Sequence, residues 1–462
     1  MAYTEFYVQT TGSNLNAGST TANAASLTYA SGNWVAATGV FTVASGNPTS
    51  DGVAVGDFAS VYADGATATA FVGRVTARDA TTITVSLTAV SGTPPADGTG
   101  NRTLKIGGAW AGPSGAVIFP FGFVVGTMTN AAGDPTRVNV KNGVTYSYSS
   151  ALTSPNLGAL TWQGYTSTPG DGGRAVFDVS TNAITGMTIA GSRNAVIDFE
   201  FTSSASSGTQ PGINASGDAL IFRNKVTGFR GAGIAASALA VIGENEISGC
   251  NTANTTNIGG ITLSSGSHVT ILRNYIHDNT GSNASGIVTS PTADATAQII
   301  GNVIKSNGRF GIFLQNRSGV YVIIGNDFYN NTLDHIRTST STNGSLVYME
   351  NNNFIAGAAW GMLRSDAFTD HLFYLTNNGF GSGTAANSSG TTSGIPTVLD
   401  SVQYPADEMP WVSPATGDFR IKLAQARNAG RGTFLGLTNA AGYPDIGAVQ
   451  SKKTRASGAV SA

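Results

Sequence analysis

"ILRNYIHDN" runs from Ile271 to Asn279, and "IIGNDFYNN" from Ile323 to Asn331. Both read as an apolar residue, two spacers, Asn, one spacer, an apolar residue, two spacers and a second Asn. Anchoring on the first Asn gives seven occurrences: Asn224, Asn245, Asn274, Asn302, Asn326, Asn352 and Asn378, separated by 21, 29, 28, 24, 26 and 26 residues. A second marker follows the first six anchors: Gly233-Ile234, Gly260-Ile261, Gly286-Ile287, Gly311-Ile312, His335-Ile336 and Gly361-Met362. Its offset from the Asn is 9, 15, 12, 9, 9 and 9 residues, so the excesses are insertions, "NTANTTN" and "NTGSNAS", in one connecting loop.

Two further columns test this register. Ser237, Ser264, Ser290, Gln315, Ser339 and Ser365 each lie four residues beyond a Gly-Ile start, and Cys250, Asn279, Asn307 and Asn331 each lie five beyond an anchor. A period near 25 residues, built from short alternating strand patterns punctuated by Gly and Asn, suits a solenoid whose turns each add one strand to several parallel sheets. The pattern resembles the right-handed parallel β-helix of the pectate-lyase-like superfamily. Asn is expected at the corners because it tolerates left-handed backbone and its amide can bond to its copies above and below. Ile271, Ile276, Ile323 and Phe328 are expected inward. Arg223, Glu244 and Arg273 form one outward column and Lys225 and Glu246 the next, a charge alternation that stacking strands would use structurally.

Composition agrees with an ordered, loop-rich, all-β chain. Of 462 residues 60 are Gly and only 11% are charged, against about 25% in ordinary globular proteins, while 41% are hydrophobic. A formal net charge of −2 disfavours nucleic acid or anionic lipid as a partner. Cys250 is the single cysteine and leaves the redox compartment undecided. No basic and apolar leader opens the chain and no window reaches the ~18 apolar residues of a membrane span, so cytosolic synthesis is expected.

"FYVQTTGSNLNAGST" resembles the start of many β-helix proteins, with Asn14 in place of an Asp, and "YPDIGAVQ" resembles their closing motif. Residues 1–33 are read as the start of the solenoid and 34–112, where the markers vanish among alternating runs such as "TTITVSLTAV", as a small antiparallel β insertion. Residues 113–380 are read as the parallel β-helix, 381–450 as a C-terminal cap region in which "GDFRIKLAQARNAG" covers the open end of the core, and 451–462 as a flexible tail.

The search for chemistry begins with His268, His277, His335 and His371, none of which has metal-ligand spacing. No metal and no cofactor is expected. The β-helix resemblance implies that an enzyme of this kind would carry paired carboxylates on one outward face. Asp198 and Glu200 in "IDFEF" alternate suitably, but no second pair lies in register. The best local patch is Asp334, His335 and Arg337, where the Gly of the marker is replaced. The neighbouring turn supplies Trp360, Arg364, Asp366, Asp370 and His371. Column alignment places Phe310, Asp334 and Trp360 together, and Phe313, Arg337 and Leu363 together. Aromatic rings beside Arg and Asp suit a sugar platform built from Phe310, Phe313, Asp334, His335, Arg337, Trp360 and Asp366. Ordinary turn chemistry or a subunit contact through the exposed Phe side chains, Val288 and Leu363 explains the same residues and carries more weight.

Three function classes follow from the resemblance. The favoured one is a bacteriophage virion structural protein: a tailspike, fibre or capsid-surface appendage, made in the host cytoplasm and assembled with other virion proteins. It implies a homo-oligomer, with a trimer favoured, and host surface polysaccharide as a ligand. The alternative is a polysaccharide lyase, hydrolase or epimerase of the same superfamily. A surface adhesin, the third class, would need an export signal or anchor.

Overall fold

Strand segments three to six residues long, with alternate positions apolar, cannot bury a face singly, and repetition resolves this by stacking each on its copy in the next turn. The computed structural model describes residues 4–9, 25–66, 71–88, 93–108, 110–111, 135–154, 159–264, 266–289, 295–315, 319–338, 345–357, 363–365, 372–381, 388–389, 397–399, 402–404, 408–423 and 426. The chain is an all-β, right-handed parallel β-helix with a small antiparallel insertion, and it divides into two compact units.

In the first unit, residues 1–206 and 212–225, the strand Thr4–Gln9 pairs in parallel with Thr136–Lys141, and Leu160–Tyr165, Asn194–Ile197 and Ala219–Phe222 continue the row. Thr145–Ser147, Ala175–Asp178 and Phe199–Thr202 form a second row, and Leu152–Ser154, Met187–Ile189 and Ile213–Ala215 a third. The insertion is a closed antiparallel barrel in the order Leu27–Val35, Val40–Thr42, Thr82–Val85, Phe71–Arg78, Phe58–Ala63 and Gly98–Ile106. Its own core holds Trp34, Phe41, Val61, Phe71, Ile83 and Leu104. The barrel thus begins at Leu27, before the expected boundary at 34, and its last strand ends at Ile106, before 112. The reason is local: "ASGN" has the composition of a turn yet lies inside the first strand. Ser31 takes φ 54° there, the register against Gly98–Ile106 shifts, and a Cβ on Gly32 would meet the Phe41 ring at 2.3 Å.

In the second unit, residues 207–211 and 226–462, three parallel rows repeat with the period of the sequence. One turn runs through His268–Leu272, Tyr275–His277 and Ser285–Thr289, here called sheets A, B and C. Inward side chains stack in register: Ile242, Ile271, Ile299, Ile323, Met349 and Leu375 in sheet A, and Ile247, Ile276, Ile304, Phe328, Phe354 and Phe380 in sheet B. Phe328 and Phe354 stack at 4.9 Å between ring centroids, and Phe354 and Phe380 at 5.7 Å.

The corner from A to B is braced by amides. Asn245, Asn274, Asn302, Asn326, Asn352 and Asn378 are buried, and each accepts at Oδ1 from the backbone N–H of its predecessor where one precedes it in this unit; Asn274 N–H reaches Asn302 Oδ1 at 2.8 Å and Asn302 N–H reaches Asn326 Oδ1 at 2.9 Å. The Nδ2 groups donate along the same row and to the inward carbonyls, as Asn302 does to Ile271 O at 2.9 Å. In the first unit Asn224 accepts from Phe199 N–H at 3.0 Å and donates to Val196 O at 2.9 Å.

The left-handed residue at each corner, however, is the one before the anchor: Arg223, Glu244, Arg273, Gly301, Gly325, Asn351 and Asn377 have φ between 52° and 63°. Asn is needed at the anchor for its amide, which turns inward, and the bend is made one residue earlier by whatever side chain can point to solvent. That corrects the expectation that the anchor itself supplies left-handed backbone, and it explains the outward charge column, since those same preceding residues form ion pairs such as Arg273–Glu244 at 3.8 Å.

The hairpin Trp411–Ser413 and Asp418–Ile421 packs on the outward side of sheet B, against Tyr275, Val303, Tyr329 and Ile355, and not across the open end of the core. Sheet B offers an aromatic and aliphatic outer stripe that the hairpin buries, which accounts for the departure from the expected cap.

Candidate functional site

The loop between sheets B and C places the sequence patch on the outside of sheet C. Ile312–Leu314 pairs with Ile336–Thr338, which pairs with Leu363–Ser365. In the backbone register Phe313 pairs with Arg337, and Arg337 with Arg364, so the column expected to contain Leu363 contains Arg364; Leu363 pairs with Ile336. The loop after Asn352 is longer by one residue than the loop after Asn326, a difference that the Gly361-Met362 marker conceals. Trp360, Asp366, Asp370 and His371 lie outside the described residues.

Phe310 and Phe313 do not lie open. They are 0% and 5% exposed and form a small cluster with Val288, their rings 4.9 Å apart. Above them lie two guanidinium groups: Arg309 sits 4.7 Å from the Phe310 centroid and 5.1 Å from that of Phe313, and Arg337 sits 5.2 Å from Phe310. Each cation–π contact contributes roughly 0.5–2 kcal/mol. Sequence reasoning passed over Arg309, because it falls outside the repeat markers; its place directly before Phe310 was the available signal. Burial, and then the charge of Arg337, hold the Arg309 pKa below its ordinary value.

Asp334 is fully buried, with Oδ2 4.0 Å from Arg337 Nη1. The described geometry pairs this carboxylate with a cation, which favours holding the guanidinium in place over acid–base chemistry. His335 turns into the solenoid: it is 2% exposed, with its ring 5.9 Å from Phe328 and from Phe354, and Nδ1 3.3 Å from Asn331 Nδ2. It therefore leaves the sugar platform and joins the interior.

That position follows from a second amide row at the corner between B and C. Cys250 N–H donates to Asn279 Oδ1 at 2.8 Å, Asn279 Nδ2 to Asn307 Oδ1 at 2.8 Å, and Asn307 Nδ2 to Asn331 Oδ1 at 2.9 Å. A Cβ on Gly260, Gly286 or Gly311 would come within 2.9 to 3.1 Å of the Nδ2 in the next turn, so glycine is required there. Opposite Asn331 the next turn has Gly357, and among the described residues the row of amides stops at Asn331. The space above His335 is thereby free of an amide, and the imidazole terminates the row by accepting from Asn331. Desolvation pushes the His335 pKa down to about 3, keeping the ring neutral.

The other sequence candidates are structural. Asp198 takes φ 62° at a corner, is 1% exposed, and is held by Arg223 at 2.7 and 2.8 Å; Glu200 lies outward near Lys225 at 3.5 Å. The two carboxylates do not share a strand face. His277 stacks on Tyr275 at 3.9 Å, with Nδ1 2.7 Å from Asp278 Oδ2. Among the described residues no group of three His, Cys, Asp or Glu is placed to hold a metal ion, and no helix is long and apolar enough to cross a membrane.

Residues 177–323 match the family model of a right-handed beta helix region. A search of curated proteins gave no match. Among solved structures the chain is similar to the periplasmic alginate epimerase AlgG (11% identity, 58% of this chain and 77% of that one, TM-score 0.35). It is also similar to the Dettilon tailspike protein (15% identity, 58% and 62%, TM-score 0.34). A third is the catalytic unit of a thermostable alpha-1,3-glucanase from Streptomyces thermodiastaticus (14% identity, 80% and 89%, TM-score 0.36). These likenesses concern the fold and leave the activity to the site.

Proposed function

We propose that the chain is a bacteriophage virion structural protein, a tailspike, fibre or capsid-surface appendage, whose β-helix carries a lateral binding surface for a host glycan. The observation that carries the binding part of this reading is the guanidinium layer of Arg309 and Arg337 held over Phe310 and Phe313 on the outside of sheet C. Such a layer offers planar, fixed donors to the hydroxyl and acidic groups of a saccharide without ordering flexible side chains at the moment of binding. The virion part is supported by the charge-poor composition and the two amide rows, which suit a stiff scaffold built to present a surface.

Two measurements test it. Mass spectrometry of purified particles of the phage encoding the chain is expected to find its peptides in fixed ratio to the other virion proteins; their absence overturns the virion assignment. The purified chain is expected to retain host surface polysaccharide without shortening it, and the release of oligosaccharides would move the protein to the enzyme class.

A further inference from the structure

Arg309 is anchored at both ends of its peptide: its N–H donates to Ala284 O at 2.9 Å and its carbonyl accepts from Leu333 N–H at 2.7 Å. Its guanidinium lies on two buried rings. Arg337 beside it has Asp334 Oδ2 at 4.0 Å, whereas among the described residues no carboxylate lies within ion-pair distance of Arg309. Arg309 itself is only half-buried. A half-buried cation next to a second cation, with no counter-charge among the described residues, carries a desolvation cost and a like-charge repulsion that a bound anion would relieve.

We propose that Arg309 is a carboxylate subsite of this glycan surface, taking the carboxylate of an acidic sugar through two parallel N–H···O bonds; this rests on the glycan reading above. The planar fork of arginine matches the two oxygens of a carboxylate, and stacking on Phe310 and Phe313 holds the fork before the ligand arrives. Sulfate and phosphate esters offer similar oxygens, and the test separates them.

The full-length chain is titrated calorimetrically with host surface polysaccharide in three forms: native, carboxyl-reduced, and stripped of sulfate and phosphate esters. Native and ester-stripped forms are expected to bind alike, and the carboxyl-reduced form at least tenfold more weakly. Arg309→Gln is expected to lose at least tenfold for the native form and little for the reduced one, with Arg309→Lys intermediate. An unchanged thermal midpoint in both variants shows that the fold is kept. Equal binding of native and reduced forms overturns the carboxylate subsite while leaving the glycan surface standing. Loss of binding on ester removal alone assigns the anion elsewhere and overturns the subsite. Failure of the native polysaccharide to bind at all removes the glycan reading and the subsite with it.

Discussion

His335 stands where the preceding turns have Gly233, Gly260, Gly286 and Gly311, and its meaning depends on a residue in the following turn. Where Gly260, Gly286 and Gly311 leave room for an amide, His335 occupies room left by the missing side chain of Gly357 and completes the hydrogen bonding of Asn331. The ring nitrogen that accepts must be unprotonated. With the folded pKa pushed down to about 3 and the unfolded value near 6.5, the unfolded chain binds the proton more readily between those limits. Stability from this site is therefore complete above pH 6.5 and falls as pH drops toward 3, by about 1.4 kcal/mol per pH unit for one proton. His335→Gln, which keeps a hydrogen-bonding group but does not titrate, is expected to lose stability on the order of 2 kcal/mol less than wild type between pH 7 and pH 4.5. Urea melts at the two pH values check this, and identical losses in both proteins would refute it. Cys250, at the other end of the same row, has its thiol pushed up to about 12 by burial and is a packing residue.

At the scale of elements, the hairpin at Trp411–Ile421 shows how a solenoid flank becomes a core. Trp411 and Phe419 are 0% and 3% exposed, Tyr329 meets both rings edge-on at 6.0 and 6.3 Å, and the Lys305 ammonium donates to Ala415 O at 3.3 Å. Replacing a buried Trp by Ala typically removes about 3–5 kcal/mol, more than a short hairpin gains from its own hydrogen bonds. Trp411→Ala is expected to release the hairpin and leave the amide rows intact. Limited proteolysis would then cut within residues 408–423 much faster than in wild type, with the far-ultraviolet spectrum unchanged. A variant as resistant as wild type would mean that the hairpin is held by something other than the Trp411 cluster. In the sequence "GDFRIKLAQARNAG" was legible as a cover for apolar surface, but its pattern could not say which surface, because an outward stripe on sheet B becomes a partner only after the turns have stacked.

For the whole molecule, the barrel is a self-contained insertion. Its two ends lie side by side, with Ser26 N–H donating to Ile106 O at 2.7 Å, and its core residues pack on one another; Phe58 also reaches Phe6 of the first strand at 5.0 Å between centroids. Excising residues 25–107 and joining the ends with a short Gly-Ser linker is expected to leave the parallel β-helix folded. The excised segment, with its closed sheet and no open edge, is expected to fold alone. Circular dichroism melts of both pieces check the claim, and an unfolded solenoid after excision would show that the barrel nucleates or braces it. By itself the sequence determined the winding: a side chain that must bury its amide in every turn can do so only by bonding to its own copy, so the period and the order of Asn, Ile and Gly were enough to specify stacked parallel turns. Only the tertiary structure decided which residue makes the bend, that His335 faces inward, that Phe310 and Phe313 lie under arginines, and that Arg309 is half-buried beside a second cation. Each of those depends on the neighbour one turn away, whose register is set by loop lengths that carry no periodic signal.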